Sequence, residues 1–257
     1  MQSLRVGLIG CGTIGRSVLQ LLESEDDIAI IGALVRNPAR QAPVPLFDNL
    51  RQLLSLRPDV VVEVAGHDGL RCHGPAVLRA GFDLILLSVG ALAHPEFEQE
   101  LRAAARKGRS RAMVASGAIG ALDAIASAAV GGLEQVTHTT RKPARALLEA
   151  EEANRLSEPK ELFRGSAREG ALRFPENINV AAAVSLAGLG LDRTEVRVVA
   201  DPRLERNTHE VVARGAFGEL RFEMRGIPTD DNPRTGRLVA MSVVHALRQL
   251  RSPLVIG

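Results

Sequence analysis

Apolar residues fall into two rhythms over the first 116 positions. Compact apolar runs at residues 4–9, 28–35, 59–64, 83–89 and 111–116 read as strands, the third of them (DVVVEV) rich in β-branched side chains. Between them, residues 14–23 place apolar side chains at 14, 18, 21 and 22, a helical spacing, and 50–56, 73–80 and 95–107 read as further helices. Arg57-Pro58 ends the second helix, because proline cannot continue one, and Pro95 opens the last. Nearly continuous apolar strands alternating with helices predict a parallel sheet covered on both faces, a doubly wound α/β domain.

After residue 116 the rhythm changes. Residues 117–130 are alanine-rich and helical, 135–141 alternate as a strand, 146–156 form a charged helix and 179–187 an apolar one. Runs at 195–200, 209–214 and 219–225 read as strands. Strands grouped with flanking helices predict a smaller α+β domain on an antiparallel sheet. Asn232-Pro233 marks a turn, and 236–250 is an amphipathic helix with apolar residues at 239, 243, 244, 247 and 250. That helix is expected to return to the first domain. The predicted division is therefore 1–116 completed by 236–257, with a second domain over 117–235.

Composition narrows the function classes. No apolar run in the 257 residues approaches the roughly 20 needed for a spanning helix, so no membrane role is expected. The opening MQSLRVGLIG reads as a strand and not as a signal peptide. With 32 basic residues against 30 acidic and no basic block, nucleic-acid binding has no support. Cys11 and Cys72 lack paired spacing, which gives neither a disulfide framework nor a zinc site, and no histidine cluster points to a metal. A reducing cytoplasm is the expected setting.

One motif carries cofactor chemistry. Gly10-Cys11-Gly12-Thr13-Ile14-Gly15 is a G-x-G-x-x-G placed after the first predicted strand and before the first helix, the context that a dinucleotide fingerprint requires. Gly10 permits a tight turn, Gly12 lets backbone approach a pyrophosphate, and Gly15 lets helix and strand pack closely. The helix N-terminus offers amide groups and partial positive charge to phosphate. At the end of the second strand, where an NAD-specific site usually carries a carboxylate, the chain reads Arg36-Asn37. Arg36 suits a 2′-phosphate or the adenine face, so NADP is expected alongside NAD; a solvated loop charge, shared with Arg40, is the other reading. Three more strand ends, Ala65-Gly66, Ser88-Val89-Gly90 and Ser116-Gly117-Ala118, carry glycine where parallel strands meet a ligand.

The remaining polar candidates are weaker by position. His209 opens a strand within a polar cluster and reads as a solvated, titrating imidazole, a candidate catalytic group, with His67 behind it. His138 alternates within a strand and either face is open to it. His73 and His94 look structural and His245 lies on the final helix. Arg141 and Lys142 follow a Thr-Thr pair and suit carboxylate binding or a solvated strand end. Asn179 suits either a nicotinamide amide or a helix N-cap.

Several segments together are far more specific than the fingerprint. VGLIGCGTIG, LSVGALA (87–93), VASGAIGALDAI (114–125), THTTRKP (137–143), FPENINVAAAVSLAG (174–188), VVADP (198–202), NTHEVVARGAFGEL (207–220) and NPRTGRLVAMSV (232–243) resemble, in order, the L-aspartate dehydrogenase family. The resemblance implies oxidation of L-aspartate with NAD or NADP to iminoaspartate, which enters NAD biosynthesis or hydrolyses to oxaloacetate and ammonia. It implies a substrate-binding and dimerisation role for the second domain, hence a homodimer. It implies His209 as the catalytic residue, taking a proton from the substrate amine or from water, and Ala118 and Asn179 as cofactor contacts. Many relatives carry Asp where Arg36 stands, a departure that bears on NAD preference. Two other readings share the domain pairing: a dehydrogenase of the homoserine dehydrogenase or dihydrodipicolinate reductase type, and a dinucleotide-sensing module without turnover.

Overall fold

The structure is a computed structural model that describes residues 3–39, 41–174, 178–230 and 232–256. Arg40 lies outside the described residues, as do positions 175–177 of the FPENINVAA segment. The chain forms two compact units: residues 1–117 with 239–257, and residues 118–238.

The first unit is built on β1 (Leu4–Ile9), β2 (Ile28–Leu34), β3 (Leu46–Phe47), β4 (Val60–Glu63), β5 (Asp83–Leu86) and β6 (Ala112–Val114). All pair in parallel in the order β3-β2-β1-β4-β5-β6. The order reverses between β1 and β4, which puts the switch point of a doubly wound sheet at the carboxyl end of β1. Helix α1 (Thr13–Leu21) follows β1, α2 (Leu50–Ser55) follows β3, α3 (His67–Arg79) follows β4, and α4 (Pro95–Gly108) precedes β6. The central strands are buried on both faces because helices cover both, so Val6, Leu8, Val60, Val62 and Ile85 have essentially no exposure.

The second unit holds α5 (Leu122–Gly131), β7 (Leu133–Pro143), α6 (Ala150–Arg155), β8 (Lys160–Ser166), α7 (Ala167–Arg173), α8 (Asn179–Ala187), β9 (Glu195–Asp201), β10 (Thr208–Gly215) and β11 (Gly218–Arg225). Its sheet runs β11-β10-β7-β9-β8. The antiparallel expectation fails at one place: β7 and β9 pair in parallel, so the sheet is mixed. Val136, Val211 and Ala213 pack against Ile125 and Ala128 of α5 and Val180 and Val184 of α8. The opposite face carries charge, with Arg197 paired to Glu161 and Arg221 to Glu210. Strand β12 (Pro228–Thr229) then pairs with β13 (Asn232–Gly236), so Asn232 begins a strand where a turn was expected. The last helix, α9 (Leu238–Arg251), buries Ala240, Val243, Val244 and Leu247 in the core of the first unit beside Val6 and Leu8. Ser242 Oγ also accepts the Gly117 amide at 3.1 Å.

Two further boundaries differ from the sequence reading. The third helix starts at His67, not His73, with Pro75 inside it and His73 mid-helix. The charged helix expected over 146–156 shrinks to a 3₁₀ turn at Ala144–Ala146 and α6. Among the described residues, no helix is long and apolar enough to cross a membrane.

Candidate functional site

In the first unit the candidate groups gather at the carboxyl ends of β1, β2 and β4. Gly10 takes φ +98°, and a Cβ there would lie 2.9 Å from the Val64 carbonyl oxygen. A Cβ on Gly15 would lie 2.8 Å from the Gly10 carbonyl oxygen, so α1 starts hard against the turn that precedes it. Gly12 is the opposite case: it is exposed, it caps α1, and a Cβ on it would meet nothing within 4 Å. The turn is thus closed beneath Gly10 and Gly15 and open above Gly12, where α1 presents its first amides. This is a cradle for a pyrophosphate, and these residues fit a dinucleotide. Cys11, Thr13 and Ile14 are half-buried around it. Burial pushes the Cys11 thiol up, with Arg16 acting in the opposite sense, so Cys11 lacks the thiolate character of a reactive cysteine.

Arg36 and Asn37 are exposed just past β2, whose Leu34 carbonyl accepts the Gly10 amide at 2.8 Å. The Asn37 side chain turns back on its own loop and accepts the Ala39 amide at 3.1 Å. Next to them, Pro38, Gln41, Pro43, Val44 and Leu46 line a shallow, open surface cleft.

Glu63, which sequence reasoning passed over, organises the neighbouring strand ends. It has no exposure. Its Oε1 accepts the amides of Ala65 (2.7 Å) and Gly66 (2.9 Å) and the Ser88 hydroxyl (2.8 Å), and its Oε2 accepts the Ser88 amide (3.1 Å). One carboxylate therefore ties the turn after β4 to the turn after β5. Burial raises its pKa and the four hydrogen bonds oppose that rise. Its signal was a lone acid at the end of an apolar strand. The three glycine-bearing strand ends are not equivalent. Ala65 and Gly66 are exposed, with Gly66 at φ +91°, whereas Ser88, Val89 and Gly90 are buried and the Ser88 hydroxyl is committed to Glu63.

The second unit gathers the other candidates on one sheet face. His209 of β10 lies opposite Thr140 of β7 and Met224 of β11. Its Nδ1 is 3.3 Å from Thr140 Oγ1 and 3.3 Å from Nε2 of His138. It is not the solvated, titrating group the polar flanks had implied. It is 8% exposed, and burial followed by the charge of Lys142 holds its pKa at about 4. His138 is fully buried, and burial followed by His209 holds it well below the ordinary histidine value. Strand alternation separates the two cationic candidates. Lys142 shares the parity of His138 and Thr140 and so the face of His209, while Arg141 shares that of Thr139 and lies on the opposite face. Asn179 is the first residue of α8 and the cap position falls to Ile178, so the N-cap reading of Asn179 does not hold. Ala118 is half-buried against the second unit's core. No group of three or more potential metal ligands occurs among the described residues.

Comparisons with known proteins place both units. A family profile described as “Aspartate dehydrogenase, C-terminal” matches residues 123–250. A second, described as “Homoserine dehydrogenase, NAD binding domain”, matches residues 10–115. The chain is 45% identical to the L-aspartate dehydrogenase of Ralstonia pickettii over 95% of this chain and 96% of that one. The crystal structure of aspartate dehydrogenase from Thermotoga maritima superposes with a TM-score of 0.85 at 28% identity, covering 100% of both chains. A hyperthermophilic archaeal homoserine dehydrogenase in complex with NADPH superposes at 0.64 over 99% of this chain and 100% of that one, but at 10% identity it shares the fold alone. The first unit is a nicotinamide-dinucleotide-binding domain, and the chain belongs to the L-aspartate dehydrogenase family.

Proposed function

We propose that the protein oxidises L-aspartate with NAD or NADP to iminoaspartate, which passes to pyridine-nucleotide biosynthesis or hydrolyses to oxaloacetate and ammonia. The observation that carries this reading is the buried His209 sharing a sheet face with Lys142, in a chain 45% identical to an L-aspartate dehydrogenase.

The Gly10–Gly15 turn binds the pyrophosphate through the backbone above Gly12. Arg36 pairs with a 2′-phosphate when NADP is bound, and the cleft beside Pro38 takes the adenosine end. A bound nicotinamide supplies the two-electron acceptor for the substrate α-carbon. Ala118 and Asn179 contact the cofactor. Lys142, on the face of His209, pairs with a substrate carboxylate; Arg141 lies on the opposite face of the strand. His209, neutral at physiological pH, meets the reacting end of the substrate. The protein works as a cytoplasmic homodimer assembled through the second unit, a reading that rests on the family resemblance; a single species at monomer mass in sedimentation at micromolar concentration would overturn it.

The decisive experiment offers aspartate and homoserine with NAD and NADP, and dihydrodipicolinate with NADH and NADPH, while following reduced-nicotinamide absorbance. Turnover of aspartate, with NADP at least comparable to NAD, is expected. Turnover of another substrate, or cofactor binding with no turnover of any, would sink the reading. Arg36→Asp should weaken NADP selectively by about 2–4 kcal/mol, through a lost charge-assisted pair and new repulsion.

A further inference from the structure

His138 has a geometry that a merely packed histidine would not need. The rings of His138 and His209 lie 13° from parallel with centroids 5.4 Å apart. Nε2 of His138 sits 3.3 Å from Nδ1 of His209, and Nδ1 of His138 has no hydrogen-bond partner among the described residues. Burial keeps both rings neutral, so each carries one N–H, and a hydrogen bond between them uses one of those two hydrogens. Only two arrangements satisfy it. If His209 donates from Nδ1, then His138 must carry its own hydrogen on Nδ1, and a buried N–H is left without an acceptor. If His138 donates from Nε2, its Nδ1 keeps only a lone pair, and no donor is orphaned. Buried N–H groups without partners are the rarer and costlier defect. The second arrangement also gives both rings the Nε2–H form that neutral histidine intrinsically favours. Thr140 Oγ1, at 3.3 Å from the same His209 nitrogen, is a hydroxyl that donates or accepts as required and does not choose between them.

We propose that His138 is a positioning residue that fixes His209 in the Nε2–H tautomer, so that His209 meets the substrate as a hydrogen-bond donor and not as a base. This rests on the reading that His209 touches substrate. It replaces the proton-accepting role that sequence position implied. A neutral imidazole N–H holds a substrate carboxylate oxygen by a hydrogen bond without giving up its proton, and the proton lost by the substrate amine goes to solvent water.

The test is nitrogen NMR of the full-length protein with ¹⁵N-histidine at neutral pH, beside steady-state kinetics. In the wild type, His209 should show a bare Nδ1 and a protonated Nε2. His138→Leu should give a mixture of tautomers, and His138→Gln, which keeps an N–H donor in place of Nε2, should restore the single form. Thr140→Val should leave the tautomer unchanged. With aspartate, kcat should fall roughly 10- to 100-fold in His138→Leu and recover in His138→Gln, while KM for the dinucleotide stays within about twofold. A protonated Nδ1 in the wild type, or a His209 tautomer indifferent to His138→Leu, overturns the proposal. Should His138→Leu fail to fold, the wild-type and His138→Gln spectra still decide. Protein that oxidises no aspartate while its His209 tautomer follows His138 sinks the substrate reading and leaves the His138 assignment standing.

Discussion

At the scale of single residues, burial decides what a histidine can do. An imidazole in the unfolded chain titrates near 6.5, and His209 in the fold titrates at about 4. The His138 contact needs a bare Nδ1 on His209, so activity that depends on it persists through pH 6.5 and is lost only as pH falls through about 4; a pH–rate profile with its acid limb near 6.5 would remove that contact from catalysis. The same shift acts on stability. Between pH 6.5 and 4 the unfolded chain binds a proton that the native His209 does not, so stability is fully present above 6.5 and declines as pH falls, by about 3 kcal/mol at most. His138 acts in the same direction. Denaturant midpoints measured from pH 7 to 4 should show this slope, and His209→Gln should flatten it. His209→Ala removes a hydrogen-bond donor to the substrate and should lower kcat by roughly 10²–10³-fold while leaving dinucleotide affinity nearly unchanged, as separate kinetic and cofactor titrations can establish.

At the scale of elements, the turn between β1 and α1 divides its work among three glycines. Gly12→Ala adds a methyl to open space at the helix cap, so the melting temperature should hold while dinucleotide affinity drops by roughly tenfold or more, because the methyl occupies the space a phosphate needs. Gly15→Ala drives a methyl to 2.8 Å from the Gly10 carbonyl, so it should destabilise the protein itself, by about 1–3 kcal/mol. Thermal melts beside cofactor titrations separate the two, and the reverse pattern would refute this division. Elements also differ in how plainly the chain announces them. β8 (KELFRGS) is an edge strand with charged, exposed positions and a register shift between Glu161 and Phe163, which erases the alternation that marks a strand. α7 carries only seven residues, yet its capping box is written in the chain: Ser166 Oγ accepts the Glu169 amide, and Glu169 accepts the Ser166 amide. The start of α3 was obscured because Pro75, a favoured first-turn residue, sits well inside the helix.

At the scale of the whole molecule, the chain leaves the first unit after Gly117 and re-enters it with α9. Leu247 has no exposure and packs in the core of the parallel sheet. Leu247→Ala should therefore cost about 2–5 kcal/mol, a loss seen in equilibrium unfolding, although residue 247 lies more than a hundred positions from the strands it supports. A variant ending before α9 should lose the dinucleotide-binding unit; retained NADP binding would show that the returning helix is dispensable.

The sequence by itself determined what is local or repeated. Apolar runs at the spacings of strands and helices specified the parallel domain, and Gly10 to Gly15 marked its cofactor turn, because the glycine spacing that such a turn needs is contained in six consecutive residues. The order of segments from VGLIGCGTIG to NPRTGRLVAMSV carried the family. Tertiary structure alone decided what depends on distant partners. Glu63 is read as one acid in an apolar strand until Ser88, twenty-five positions on, is brought to it. Arg141 and Lys142 are neighbours in the chain, and only membership of a strand sends them to opposite faces. His209 carries polar neighbours in sequence, but the sheet sets it against His138, seventy-one positions away, and its burial follows from that pairing and not from its flanks. Burial and pKa are properties of what surrounds a side chain in space, and the surroundings of His209 are assembled only when β7 and β10 meet.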